Sequence, residues 1–190
     1  MYLKSGLGQL EVITGPMFSG KTEELLKRIN ILKIAGINSL VIKPKFDTRF
    51  SEDEIVSRTG ARHKAINVAN SKEILKYWNP DYMCVAIDEV NFMDEDILTV
   101  IDELIVKGVR AICSGLDMDF KRRPFDVMAR VLASADNILK LKAVCLECKS
   151  DAGFSFRKVK SDELNLLGDS EYEARCRVCH IKGEAKKAMR

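Results

Sequence analysis

Eight consecutive residues carry the clearest chemistry in the chain: Gly15-Pro16-Met17-Phe18-Ser19-Gly20-Lys21-Thr22. They fit the phosphate-loop pattern GxxxxGK[ST]. Glycines let the backbone curl so that successive N–H groups face one concavity, and a following helix adds the positive end of its dipole. Lys21 can reach the β- and γ-phosphates, and Thr22 can ligate Mg²⁺. A second pair, Asp88-Glu89, ends the apolar run Tyr82–Asp88 (YMCVAID). Asp88 stands where the magnesium-binding acid of a phosphate-loop protein belongs. Glu89 can take a proton from a water or a substrate hydroxyl. These motifs imply use of a nucleoside triphosphate; spacing alone leaves hydrolysis and transfer to a hydroxyl both open.

Four of the six cysteines form two CxxC pairs, Cys145/Cys148 and Cys176/Cys179, with 27 residues between them. Such pairs can turn four thiolates toward one point, a closed tetrahedral site of structural rather than catalytic character. His180, adjoining Cys179, is an alternative ligand, and a redox pair is the other reading of these thiols. The loop between the pairs includes Leu164-Asn165-Leu166-Leu167-Gly168. Tied at both ends, it could serve as a lid, although a hairpin packed on itself explains it more simply. Cys84 and Cys113 lie inside apolar runs and read as buried free thiols.

The elements that must position these groups alternate. Strands are expected at Gln9–Thr14, Ser39–Lys43, Tyr82–Asp88, Val109–Cys113 and Ile138–Val144. Helices are expected from Lys21 to Gly36, from Ser71 as cap through Lys76, after Asp94 to Gly108, and over Phe125–Ala133. Lys45–Arg62 is polar, without periodicity, and reads as a mobile loop. Alternation of this kind predicts an α/β domain, a phosphate-loop parallel sheet flanked by helices. A small cysteine-bearing domain should follow, with domains at 1–142 and 143–190.

The 190 residues carry 31 Lys+Arg against 28 Asp+Glu, and 46% are hydrophobic. That balance excludes a wholly disordered chain. No apolar run approaches the roughly 18 residues of a membrane helix. The first ten residues lack the apolar core of a secretory signal, so a cytosolic protein is expected. From Cys145 onward ten basic residues face eight acidic ones. A nucleic-acid partner is not expected from so even a charge.

The series GPMFSGKT, KPKFDTR, AIDEVNF, GLDMDFKRRPF, CLEC and CRVC resembles the type II thymidine kinases, the cytosolic class with a zinc-tied lasso domain. The resemblance runs from about Gln9 to Cys179. It implies a RecA-like phosphate-loop domain and transfer of the γ-phosphoryl of ATP to the 5′-hydroxyl of thymidine. Glu89 would be the general base, with Thr22 and Asp88 at magnesium and Lys21, Asp47 and Arg49 at phosphate. Met17, Phe92, Leu116, Phe120 and Phe125 would shape the thymine pocket. Ser155 would lie near the base and Tyr172 near the sugar 3′-hydroxyl, while Leu164, Leu166 and Gly168 would belong to the lasso. Cys145, Cys148, Cys176 and Cys179 would hold structural zinc. Deoxyuridine as a second acceptor, a homotetramer and feedback by dTTP are further implications. Asn91 stands where the family commonly has glutamine. The rival class is a zinc-ribbon ATPase acting on nucleic acid; a third is a regulator that binds nucleotide without turnover.

Overall fold

The computed structural model describes residues 8–45, 53–159, 168 and 170–189. Its centre is a six-stranded sheet built from β1 (Gln9–Thr14), β2 (Ser39–Pro44), β5 (Ile66–Val68), β6 (Cys84–Ile87), β7 (Arg110–Gly115) and β8 (Asn137–Lys140). Every pairing is parallel, in the order β5-β2-β6-β7-β1-β8. Parallel strands are covered on both faces, which explains their nearly unbroken apolar sequence. Neighbours along each strand divide between two cores. Val12, Ile42 and Ile87 join the core packed by α3 (Ile97–Val106) and α4 (Asp126–Ser134). Ile13, Val41 and Ala86 join the core under α1 (Lys21–Ile34). That division is the two-residue period of a pleated strand.

Helix limits follow backbone chemistry. Gly20 (φ 84°) turns the chain into α1, and Gly36 (φ 74°) follows its end. Gly108 (φ 83°) follows α3 in the same way. Such left-handed positions favour glycine, which carries no Cβ.

The expected elements are present, with β5 as an added strand of the sheet and differences in three other places. Part of the polar stretch after Lys45 is an antiparallel hairpin, β3 (Glu54–Val56) with β4 (Arg62–Lys64). Its short strands are too polar to show alternation. The second helix, α2, covers Glu73–Tyr77, and Asn70 Oδ1 rather than Ser71 accepts from the Glu73 N–H, at 3.2 Å. Asp94 does organise the start of α3: its Oδ1 accepts from Asp96 N at 3.1 Å and its Oδ2 from Ser71 N at 2.8 Å. The strand expected over Ile138–Val144 is broken. β8 stays in the main sheet, whereas β9 (Ala143–Val144) pairs antiparallel with β10 (Asp151–Ala152). Beyond them lie a hairpin of β11 (Phe154–Arg157) with β12 (Tyr172–Arg175) and a final helix α5 (Arg177–Ala188), which carries Cys179.

Beneath α1, Glu11 on β1 pairs with Arg28 on α1 and Arg110 on β7. Glu11 and Arg110 are buried. Removing the Glu11 carboxylate takes the ion-pair partner seen here from the buried Arg110, while Arg28 keeps its pair with Glu24. Glu11→Gln should lower the unfolding free energy by about 3 kcal/mol. Glu103→Gln, in the surface pair with Lys107, should cost under about 0.5 kcal/mol. Urea midpoints of the two variants check the contrast.

Candidate active site

The phosphate loop joins the end of β1 to the start of α1, as the strand–loop–helix spacing requires. Gly15 (φ 147°) lies against Leu141: an added Cβ would stand 2.5 Å from its carbonyl oxygen. Ser19 Oγ donates to the Pro16 carbonyl at 2.8 Å, closing the turn. Lys21 Nζ donates to the same carbonyl at 2.8 Å. The Met17 N–H, expected to face phosphate, instead donates to Ser155 Oγ at 2.9 Å. The loop is therefore pinned from β11, far along the chain.

Asp88 follows β6, and β7 lies between β6 and β1. This order brings the second motif beside the first. Thr22 Oγ1 donates to Asp88 Oδ2 at 3.2 Å. Ser114 on β7 donates to Asp88 Oδ1, and the Glu89 N–H donates to the same oxygen at 3.1 Å. Sequence reasoning missed Ser114. Its signal is a Ser-Gly pair at the carboxyl end of an apolar strand, the edge where parallel sheets place ligands.

Glu89 occupies the left-handed region (φ 50°, ψ 41°). For a residue with a Cβ that conformation costs about 1–2 kcal/mol. A 3-10 turn over Val90–Phe92 follows it. Asn91 holds this turn to β7: its Oδ1 accepts from the Leu116 N–H at 2.9 Å. Among the described residues its buried Nδ2 has no hydrogen-bond partner. The substitution of a shorter amide thus leaves the turn anchored through the oxygen. Gly115 makes room for that oxygen; a Cβ there would lie 2.5 Å from Asn91 Oδ1.

A cavity of about 460 Å³ opens between the loop and the β3–β4 hairpin, and Lys21, Thr22, Lys43, Arg58, Asp88 and Glu89 are among its lining residues. Two contacts hold the hairpin over it. Thr59 Oγ1 lies 2.6 Å from the Glu23 carboxylate on α1, and the Arg58 guanidinium lies 4.1 Å from the Phe18 ring centre. Neither Lys43 nor this latch was visible in the sequence, because the hairpin itself was not. Three cations line the space with four acids, Glu23 and Glu54 besides Asp88 and Glu89, a mixed set that suits an anionic ligand carried with a metal ion. Asp47 and Arg49 lie outside the described residues.

Met17, Phe120 and Tyr172 form a buried apolar cluster, with Phe18 and Leu116 against it. Phe92 and Phe125 pack edge to face, ring centres 6.0 Å apart. The Phe125 N–H donates to the Asp117 carbonyl at 3.1 Å, which ties that pair to the strand end beside Leu116. The expected pocket residues thus fall in one cluster and an adjoining pair. Gly168 (φ 145°) lies four residues before Tyr172, whereas Leu164 and Leu166 lie outside the described residues.

The four cysteines converge. Their sulfur atoms all lie within 4.8 Å of one another, and Cys148 and Cys176 Sγ are 3.7 Å apart. Metal–sulfur bonds of about 2.3 Å in a tetrahedron give sulfur separations of about 3.8 Å, so the cluster fits a metal ion. Hydrogen bonds from Ser150 hold the Cys148 thiol below its ordinary range, and the Cys179 N–H does the same for Cys176. Burial pushes Cys145 up, but backbone N–H groups outweigh it and hold that thiol low. Hydrogen bonding to Cys176, then burial, pushes Cys179 up to about 12. The last proton of such a cluster is hardest to remove without a cation to balance the charge. His180 is not part of it. The His180 ring is fully buried between Phe154 and Phe156, and its Nε2 lies 2.9 Å from the Phe120 carbonyl oxygen. Cys84 and Cys113 are buried thiols, pushed up by burial to about 11 and about 12.

A parallel sheet with these two motifs at its carboxyl edge defines a phosphate-loop protein, here extended by a four-cysteine cluster. The sequence model described as thymidine kinase matches residues 8–180. A thymidine kinase of Mycoplasma mobile is 55% identical over 188 residues, covering 98% of this chain and 94% of the relative. One from Metamycoplasma arthritidis is 49% identical over 192 residues, covering 100% and 99%. One from Mesomycoplasma hyopneumoniae is 50% identical over 182 residues, covering 95% and 99%. The chain belongs to the thymidine kinase family.

The close fit at Gly115 is open to test. Gly115→Ala should cost about 1–3 kcal/mol through overpacking, read from thermal melts. Adding Asn91→Ala, which removes the opposing amide, should recover part of that loss. A double variant less stable than both singles would contradict the packing argument.

Proposed function

We propose that this protein is an ATP-dependent thymidine kinase. It transfers the γ-phosphoryl of ATP to the 5′-hydroxyl of thymidine, giving dTMP and ADP. The observation that carries the reading is the contact of Thr22 with Asp88 beside Glu89, which joins both phosphate motifs at one cavity. Membership of the family favours the kinase over the nucleic-acid ATPase.

Lys21 and the backbone N–H groups from Phe18 to Thr22 hold the phosphates, with Gly15, Pro16 and Met17 shaping the loop and the Met17 N–H held by Ser155. Thr22 and Asp88 hold the magnesium that accompanies ATP. When bound, that ion neutralises charge on the phosphate oxygens. Asp47 and Arg49 assist phosphate binding. Glu89 accepts the 5′ proton while the sugar oxygen bonds to the γ-phosphorus and the bond to the bridging oxygen breaks, releasing ADP. Catalysis rests on positioning and charge stabilisation. Met17, Leu116, Phe120 and the Phe92–Phe125 pair hold the base, with Ser155 close by. Tyr172 and the lasso around Leu164, Leu166 and Gly168 close over the nucleoside and exclude water as an acceptor.

The four thiolates hold structural zinc, with no open coordination position. Residues 1–142 form the nucleotide-binding domain and 143–190 the zinc-tied lasso domain. Deoxyuridine is a second acceptor, dTTP a feedback inhibitor, and the working form a cytosolic homotetramer. Among the described residues no helix is long and apolar enough to cross a membrane.

Glu89→Gln should retain ATP binding while turnover falls at least about a hundredfold. Undiminished turnover, with ATP affinity intact, would remove Glu89 as the base. Cys148→Ser should lower bound zinc below one ion per chain and raise the thymidine KM. Full zinc content with unchanged thymidine affinity would sink the structural-metal account.

A further inference from the structure

Strand β11 divides its residues between two tasks. Phe154 and Phe156 hold the His180 ring. The alternate residues, Ser155 and Arg157, meet the phosphate loop and the apolar cluster instead. Arg157 is 1% exposed. Its guanidinium lies 3.7 Å from the centre of the Phe120 ring. Its Nε and Nη2 both donate to the Tyr172 hydroxyl, at 3.1 and 2.5 Å. The β11–β12 register sets Arg157 opposite Tyr172, so the contact is a cross-strand pair rather than a chance approach.

A buried guanidinium is retained where its N–H groups find acceptors, and the Tyr172 hydroxyl is one of them. What an apolar residue cannot do is aim a hydroxyl. Two N–H groups on one phenol oxygen occupy its acceptor capacity, so the group that Tyr172 presents elsewhere is its proton. The flat guanidinium also fixes the plane of Phe120, while His180 Nε2 meets the carbonyl of the same residue. We infer that Arg157 is a positioning residue for the nucleoside: it sets the Phe120 ring and aims the Tyr172 hydroxyl as a donor toward the sugar 3′ oxygen. The inference rests on the kinase reading above.

The test compares Arg157→Met, Arg157→Lys and Tyr172→Phe in the full-length, zinc-loaded protein. KM is measured separately for thymidine and ATP, with thymidine and 3′-deoxythymidine as rival acceptors. Arg157→Met should raise the thymidine KM about tenfold or more, leave the ATP KM within about twofold, and narrow the preference for thymidine. Arg157→Lys keeps the charge but loses the fork, and should not restore that preference. In the Tyr172→Phe background, Arg157→Met should lose most of its effect on the preference. Additive effects, an equal rise in the ATP KM, or an unchanged preference would overturn the inference. If Arg157→Met does not fold, Tyr172→Phe decides alone, and an unchanged preference overturns it. Failure of the unaltered protein to phosphorylate thymidine is a distinct result; it would remove the kinase reading and this inference with it.

Discussion

A carboxylate buried at the end of a parallel strand is stable only when its oxygens are satisfied. Among the donors that meet this demand at Asp88 are groups from three places in the chain: the Thr22 hydroxyl, the Ser114 hydroxyl and the Glu89 N–H. Each donor fixes something else. Thr22 fixes the first turn of α1 against β6. Ser114 fixes the intervening strand. The Glu89 N–H fixes the left-handed residue on which the proposed chemistry turns. Losing Asp88 would therefore release three elements together.

The cysteine-bearing segment contributes more than a tether. Ser155 on β11 takes a phosphate-loop N–H, Arg157 braces Phe120 and Tyr172, and His180 on α5 meets the Phe120 carbonyl. The cluster of cysteines holds the ends of this segment. Short, buried contacts thus link this segment to both the phosphate loop and the apolar cluster.

Much of this could be read in advance, for physical reasons. Strands buried on both faces leave apolar runs, so β1, β2, β6 and β7 were legible, expected to start at Gln9, Ser39, Tyr82 and Val109 and found to start at Gln9, Ser39, Cys84 and Arg110. The phosphate loop was legible because local backbone geometry requires its glycines and phosphate binding requires a lysine at position 21. The paired cysteines were legible because ligand chemistry restricts their spacing. The β3–β4 hairpin was not, since three-residue polar strands show no period. Nor was the break after Lys140, where one apolar stretch leaves the main sheet and begins another. His180, an alternative ligand only by its neighbour Cys179, lies one helical residue further on, and its ring turns into an aromatic slot. Ser114 and Arg157 act through partners 26 and 15 residues away. Contacts at such separations depend on topology and register, which local pattern does not carry.

Phosphoryl transfer to thymidine is open to one decisive assay. The purified protein is given γ-labelled ATP with thymidine, deoxyuridine, deoxycytidine or deoxyadenosine, and with no acceptor. Label should appear on thymidine, with little on the purine nucleoside and little free phosphate without acceptor. Free phosphate in every reaction with no labelled nucleotide would contradict that transfer, and would mean that Glu89 serves water instead.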